Sequence, residues 1–380
     1  MIRILQGDCM KTLKLLADQS VNTCVTSPPY WGLRDYNGEK EQLGLEATPQ
    51  EFVDNLVAVF REVKRVLRKD GTLWLNLGDC YGQQNGKGFN TNADTGYTNR
   101  STKMQKKFGD IKLNTDLPVK NLVGIPWRVA LALQEDGWIL RQDIIWHKPN
   151  PMPESVKDRC TKAHEYIFLL SKSPKYYYDN EAIKEDAKFP GGPTAAHAIR
   201  KGADDPKMQT RGGLHKIGAN PKRNKRSVWT ITTKPFKGAH FATFPKDLIE
   251  PCVLAGCPEK MCCDCGEPYQ RQMKKTGEFQ RRWSKTIATA EGSPHEGQSS
   301  MQNIYEDLGL QKQCYCETNK TKAGVVLDPF GGSGTTAQVA NDNQRDSILC
   351  ELSAEYIEIA KKRLHGMFSD VMVETTNGDL

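Results

Sequence analysis

The 380-residue sequence has no apolar run approaching the roughly 18 to 20 residues that cross a bilayer. Its start, Met1-Ile-Arg-Ile-Leu-Gln-Gly-Asp8, lacks the apolar stretch of a secretion signal. A membrane or secreted protein is disfavoured, and a cytoplasmic one of bacterial or phage origin is expected. The chain is slightly poor in core-forming residues, with 38% apolar against 26% charged, but stays within the globular range and so argues against wholesale disorder. Its length suits one large core and a smaller accessory unit. Cysteine is not scarce, and of the twelve, seven crowd between Cys252 and Cys316. Such clustering suits a metal in a reducing compartment better than a disulfide framework.

Ile2 to Leu5, a Leu13/Leu15/Leu16 segment and Val21 to Val25 read as β-α-β. Thr48, Pro49 and Glu51 mark a helix start of capping-box type. Phe52, Leu56, Val59, Phe60, Val63, Val66 and Leu67 then form one helical apolar stripe, which Asp70-Gly71 is expected to stop. A strand at 72–77, a helix near 121–135 and a strand at 138–146 repeat the alternation and predict a parallel, doubly wound sheet. Residues 82–116 are polar and rich in Gly, Asn and Thr, as in a lid, a binding loop or disorder. The net charge of +7 is concentrated between Arg200 and Lys237, where eleven Lys/Arg face two Asp. Such a segment favours contact with a polyanion over a merely solvated loop.

Near the C-terminus, Val325 to Asp328 reads as a buried strand, Pro329-Phe-Gly-Gly-Ser-Gly334 as a tight loop and Thr335 onward as a helix. A further strand, Ser347 to Leu352, carries Glu351 near its end, at the distance where such folds place an acid on a ribose hydroxyl. Gly332 and Gly334 are present but Ala337 takes the third glycine position, so spacing alone leaves a packing turn open. At the other end of the chain lies Thr26-Ser27-Pro28-Pro29-Tyr30-Trp31. Two prolines fix φ and remove two donors, leaving carbonyls that only accept; Ser27 adds a hydroxyl and Tyr30 a flat face. An exocyclic amino group and its ring would fit there, though an ordinary turn with packed aromatics fits too.

Together the turn and the loop resemble the AdoMet-dependent amino-group DNA methyltransferases. Their order along the chain resembles the beta-class circular permutation of that family. Gly7-Asp8, Ile144-Ile-Trp-His-Lys-Pro-Asn150, His164-Glu165-Tyr166-Ile-Phe168, Tyr176-Tyr-Tyr-Asp179 and His240-Phe-Ala-Thr-Phe-Pro245 fit the same pattern. The resemblance implies a Rossmann-like doubly wound α/β sheet, circularly permuted, that binds S-adenosyl-L-methionine (AdoMet). Asp8, with Cys9 beside it, would reach the adenine, and Glu351 the ribose hydroxyls. Asp328, Pro329, Phe330, Gly332, Gly334 and Thr335 would hold the methionine end. Ser27 and the Pro28 carbonyl, stiffened by Pro29, would orient the target amine while Tyr30 stacks on a base flipped out of double-stranded DNA. Within the family, Ser before the two prolines leans toward N4 of cytosine, and Asp or Asn toward N6 of adenine. Pro251-Cys252 imitates a carbon-5 cytosine nucleophile, but companion Glu and Arg motifs are missing and its neighbours are apolar, so core packing is expected.

The expected division is a catalytic part at 1–180, a basic recognition segment at 181–237 and a return to the core at 238–257. A Cys-rich insertion at 258–320 and an AdoMet-binding part at 321–380 complete it. Arg211, Lys222, Arg223, Lys225 and Arg226 are the candidate DNA contacts. Cys262-x-x-Cys265 and Cys314-x-Cys316 offer four thiolates for a structural zinc, with Cys257 and Cys263 as substitutes and no metal as the alternative. Rival classes are a non-catalytic zinc-knuckle nucleic-acid binder, which leaves both cofactor motifs idle, and an amino-methyltransferase of RNA or protein. A nicotinamide oxidoreductase is disfavoured because the sequence shows no proton-transfer constellation near the glycine loop. The recognition sequence is not legible, and a homodimer is left open.

Overall fold

Val21–Thr26 (β2) is buried at every position, as a strand covered on both faces must be. Around it the computed structural model describes residues 1–32, 42–82, 117–186, 222–233, 244–283, 299–365 and 370–375. Arg211, most of the polar stretch at 82–116, most of the basic stretch at 200–237 and the 240–243 motif residues lie outside them.

Ile2–Gln6 (β1) precedes β2, with the short helix Cys9–Lys14 (α1) between them. The helix Pro49–Val66 (α2) has the capping box predicted, with the Thr48 hydroxyl accepting from Glu51 N–H and the Glu51 carboxylate from Thr48 N–H. Its stripe Phe52, Leu56, Val59, Phe60, Val63 and Val66 is buried in the main core. Asp70-Gly71 does not end it. The helix stops at Val66, Leu67 is already extended, and Leu67–Leu77 (β3) continues through Gly71. Buried Leu67 pairs with Val21, and a register shift lets the polar residues 68–70 bulge before Thr72 resumes the ladder. Gly71 is needed for close approach, since a Cβ there would lie 3.0 Å from Arg68 O and 3.1 Å from Asn22 O.

Next come Ile125–Glu135 (α3), Ile139–His147 (β4) and His164–Ser171 (β5). The two-residue strands Glu185–Asp186 (β6) and Lys222–Arg223 (β7) pair with each other, and Val228–Thr230 (β8) joins β4. Lys246–Gly256 (α4) leads to Met261–Cys262 (β9), Gln270–Trp283 (β10), Ser299–Gln311 (β11) and Thr321–Lys322 (β12). Val325–Asp328 (β13), Thr335–Asp342 (α5), Asp346–Glu351 (β14), Ala354–Leu364 (α6) and Val371–Thr375 (β15) follow.

Among the described residues nine strands form one sheet in the order β15-β1-β14-β13-β2-β3-β5-β4-β8. The all-parallel expectation is corrected at one place: β5 runs antiparallel to both neighbours, so the sheet is mixed. The 148–163 connection from β4 has no helix assigned to it and brings β5 back antiparallel beside β4, without the crossover helix that a parallel return ordinarily uses. From β13 the chain passes through α5 to β14 on one side, and from β2 through α2 to β3 on the other. The order therefore reverses between β13 and β2, a topological switch point where ligand crevices form at the carboxyl ends of strands.

The described residues divide into two compact units: Met1–Tyr178, Arg226–Pro268 and Cys316–Leu380 in one, Asp179–Lys225 and Tyr269–Tyr315 in the other. The first contains the large sheet. In the second, β10 and β11 make an antiparallel ribbon, and Arg271 bridges Asp307 at 2.8 Å and Asp179 at 3.6 Å.

Candidate active site

Because β1, β14, β13, β2 and β3 are parallel neighbours, their carboxyl ends share one edge. That edge gathers Asp8, Glu351, the 328–335 loop and the 26–31 turn. The buried Asp328 carboxylate joins the last two, accepting from Thr26 Oγ1 at 2.7 Å, Phe330 N–H at 3.0 Å and Thr336 Oγ1 at 2.6 Å. Burial raises its pKa while these three donors oppose the shift. Asp328 is thus engaged by the protein itself, and it fixes the spacing between turn and loop.

Within the loop, Pro329, Gly334 and Thr335 are buried, and only Phe330 and Gly332 are partly exposed among the residues singled out from sequence. Arg363 donates to Thr335 Oγ1 at 2.7 Å and Ser333 Oγ at 3.1 Å, clamping the loop from α6. Gly334, at φ +77°, has α6 against it, where a Cβ would meet Ala360 Cβ at 3.2 Å. Gly332 differs: at φ +49° a Cβ would meet only Phe330 O, at 3.9 Å, leaving a cradle beside its backbone. Glu351 accepts from Gly332 N–H at 2.7 Å and Ser353 N–H at 2.8 Å, and burial raises its pKa. Gly7 N–H donates to Glu351 O at 2.9 Å, bringing Asp8 beside it. Asp8 caps α1 by accepting from Lys11 N–H at 3.2 Å, and Cys9 is buried with its thiol pushed well up by desolvation.

In the turn, Pro28 and Trp31 are buried while Ser27, Pro29 and Tyr30 are partly exposed. Trp31 Nε1 donates to Glu46 O at 2.9 Å, and Gly32 N–H to Gly44 O at 2.7 Å, so residues 44–46 back the turn. Tyr30 Oη donates to Glu165 Oε2 at 2.8 Å and lies 3.2 Å from Asn76 Oδ1. Lys148 pairs with the other Glu165 oxygen. Lys148 and Glu165 fall inside motifs of the family resemblance, which assigns neither of them a role. The available signal was Asn76 in the apolar run Leu73-Trp-Leu-Asn-Leu77, since a polar residue in a buried strand needs a partner.

Of the candidate DNA contacts, Lys222 and Arg223 lie in β7, where Arg223 pairs with Glu185 at 2.9 Å. The Sγ atoms of Cys262, Cys265, Cys314 and Cys316 lie within 4.8 Å of one another, and none of the twelve cysteines forms a disulfide. Cys252 is buried in α4 with its thiol toward Leu248 O, in keeping with a packing role.

A switch-point crevice lined by a glycine loop, an acid at the next strand and a rigid acceptor turn defines an α/β enzyme that binds a nucleoside-bearing cofactor. Comparison narrows the class. The N6/N4 DNA methylase family model matches residues 21–264 and 315–362. Type II methyltransferase M.Cfr9I of Citrobacter freundii is 38% identical over 371 residues, covering 97% of this chain and 89% of that protein. Type II methyltransferase M.SmaI of Serratia marcescens is 37% identical, covering 95% and 90%. Among solved structures, PvuII DNA methyltransferase (cytosine-N4-specific) aligns with a TM-score of 0.51 at 16% identity over 97% of this chain and 86% of that one, a likeness of fold. The chain belongs to the N6/N4 DNA methylase family.

Proposed function

We propose that this protein transfers a methyl group from AdoMet to an exocyclic amino group of a base in double-stranded DNA, N4 of cytosine in preference to N6 of adenine. The observation that carries this reading is the Asp328 bridge, which ties the acceptor turn after β2 to the glycine loop after β13 at the switch point. The cradle beside Gly332 and the acid Glu351 suit a nucleoside carrying an amino-acid tail. Asp8, Glu351 and the loop backbone at Phe330 and Gly332 would hold it. Bound AdoMet supplies an electrophilic methyl on a sulfonium.

The protein's own task is to present the amine. An aromatic amine delocalises its lone pair into the ring, and acceptors that pull on its hydrogens help localise that pair on nitrogen. Ser27 Oγ and the Pro28 carbonyl are those acceptors. Rigid placement supplies most of the remaining acceleration, which a turn with two fixed φ angles favours. Tyr30 would stack on the flipped base. The turn and loop order fits a circularly permuted member of the family. The choice of cytosine rests on Ser27, a neutral hydroxyl where a carboxylate would be acceptor-only. Incubating unmethylated DNA with the protein and labelled AdoMet, then identifying the methylated nucleoside by mass spectrometry, tests both levels. Recovery of 4-methylcytosine is expected; 6-methyladenine alone would overturn the base, and 5-methylcytosine the mechanism.

The four clustered thiols are proposed to bind one structural zinc. Zn–S bonds of about 2.3 Å put tetrahedral sulfurs about 3.8 Å apart, which suits four mutually close Sγ atoms better than two disulfides do. Gly266, at φ +72°, donates its N–H to Cys262 O at 3.0 Å and closes the first knuckle. The ion would join the two ends of segment 266–313 without entering the chemistry. One zinc per chain by elemental analysis, lost in Cys262→Ser/Cys314→Ser together with thermal stability, is expected. Metal-free protein after reduced purification would reject the site.

A further inference from the structure

We propose that Glu165, braced by Lys148 and Asn76, is a positioning residue that locks the Tyr30 ring in the orientation in which it receives the target base. This rests on the methyltransferase reading given above. Three neighbouring strands deliver the parts: Asn76 lies in β3, Glu165 in β5, and Lys148 directly follows β4. The antiparallel course of β5 puts its beginning, and so Glu165, at the edge where β3 and β4 end. Lys148 is held there by its backbone, donating N–H to Ala163 O at 2.8 Å.

A phenol has one hydrogen, and the Glu165 carboxylate and the Asn76 amide oxygen both lie within its reach. The carboxylate at 2.8 Å is both closer and charged, so it outcompetes the Asn76 amide oxygen at 3.2 Å. The amide orientation of Asn76 is set by its own donation to Tyr166 O at 3.0 Å, with Glu165 Oε2 also within 3.4 Å. Glu165 and Lys148 retain only 16% and 18% side-chain exposure, so their ion pair is poorly screened. The Lys148 ammonium also lies 4.2 Å from the centroid of the Trp146 ring, which fixes the lysine from another side. Gly78 completes the seat. A Cβ there would lie 2.5 Å from Tyr30 Cε2 and 3.0 Å from Cδ2, so the ring can lie as it does only because position 78 has no side chain. A tyrosine needed only as an apolar plate would require none of this; phenylalanine would serve.

The test is a double-mutant cycle on the full chain: Tyr30→Phe, Glu165→Gln and the pair, assayed for kcat and for KM of AdoMet with amplified, unmethylated DNA. Each single change is expected to lower kcat about tenfold with KM for AdoMet unchanged, and the pair to be no worse than either alone. Lys148→Met is expected to act in the same direction and to be likewise silent in the Tyr30→Phe background. Multiplicative losses, or wild-type kcat in Tyr30→Phe, would overturn the assignment. Should Glu165→Gln fold poorly, Tyr30→Phe with Lys148→Met decides by the same criterion. Complete absence of methyl transfer by the unaltered protein would instead overturn the reading on which the assignment rests.

Discussion

The backbone N–H of Gly332 points at the carboxylate of Glu351 across 2.7 Å, binding the glycine loop to the end of the adjacent strand. Burial raises the Glu351 pKa, the nearby Asp328 charge adds to it, and the N–H donors of Ser353 and Gly332 only partly oppose the shift. A raised carboxyl pKa means that this group's contribution to folding is most favourable when protonated and declines as pH rises through its folded value. AdoMet binding should follow the opposite course, because an ionised Glu351 is the stronger acceptor for a ribose hydroxyl. Affinity is expected to weaken on acidification at pH values still above the ordinary carboxylate range. Calorimetric titration at several pH values checks this, with Glu351→Gln expected to bind more weakly and to flatten the dependence.

Gly332→Val and Asp328→Ala should both weaken AdoMet binding, but for different reasons. At 332 the protein leaves room for the side chain, so the change costs about 1–2 kcal/mol of backbone strain from the positive φ and fills the cradle. Asp328→Ala instead strands the Phe330 N–H and the Thr26 hydroxyl, at roughly 1–3 kcal/mol for each group left unsatisfied, and leaves the Thr336 hydroxyl only its longer bond to Val25 O at 3.5 Å. Denaturant unfolding beside calorimetry should therefore show Gly332→Val modestly destabilised and Asp328→Ala clearly more so. Normal AdoMet affinity in a folded Gly332→Val protein would move the cofactor elsewhere.

The contrast between those two residues marks what can be read from sequence. The strand, loop and helix from Val325 to Asp342 are legible because a β-branched run, a Gly-Gly-Ser-Gly turn and a helix start follow one another locally. That Asp328 reaches across to Thr26, 302 positions away, is a product of strand order and has no local signal. The same holds for Glu165, which looks like one polar residue among the aromatics of His164-Glu-Tyr-Ile-Phe168 until β5 is placed antiparallel beside β3. Asp70-Gly71 misleads for a related reason. Its turn chemistry is real but is spent on a bulge inside β3, because pairing of Leu67 with Val21 begins the strand earlier.

Ser27→Ala and Tyr30→Ala should abolish most methyl transfer while leaving AdoMet affinity nearly unchanged. Both residues are partly exposed in the turn, whereas the partly exposed loop residue Gly332 lies beside the cradle assigned to the cofactor. Losing one acceptor for the amine is expected to cost on the order of a hundredfold in rate, the scale of removing one preorganised hydrogen-bonding group from a reacting centre. A labelled-methyl assay run beside calorimetric titration separates the two effects. Equal loss of binding and transfer would mean that the turn is structural.

The basic residues should declare themselves through salt. Each phosphate contact removed lowers the slope of log affinity against log salt by about 0.9, because one fewer condensed counterion is released. Arg223 pairs with Glu185 at 2.9 Å in the β6–β7 ladder, and part of its charge is already compensated there. Lys225 and Arg226 follow β7 in the same basic run. Neutralising both should flatten the slope by nearly two units and weaken binding to all sequences alike, and Arg223→Gln, which also breaks the pair with Glu185, should in addition lower stability slightly. Fluorescence anisotropy with a duplex at several salt concentrations measures the slopes. If Lys225→Gln/Arg226→Gln leaves the slope unchanged, these side chains do not meet the DNA backbone, and the polyanion contact must be sought elsewhere on the chain.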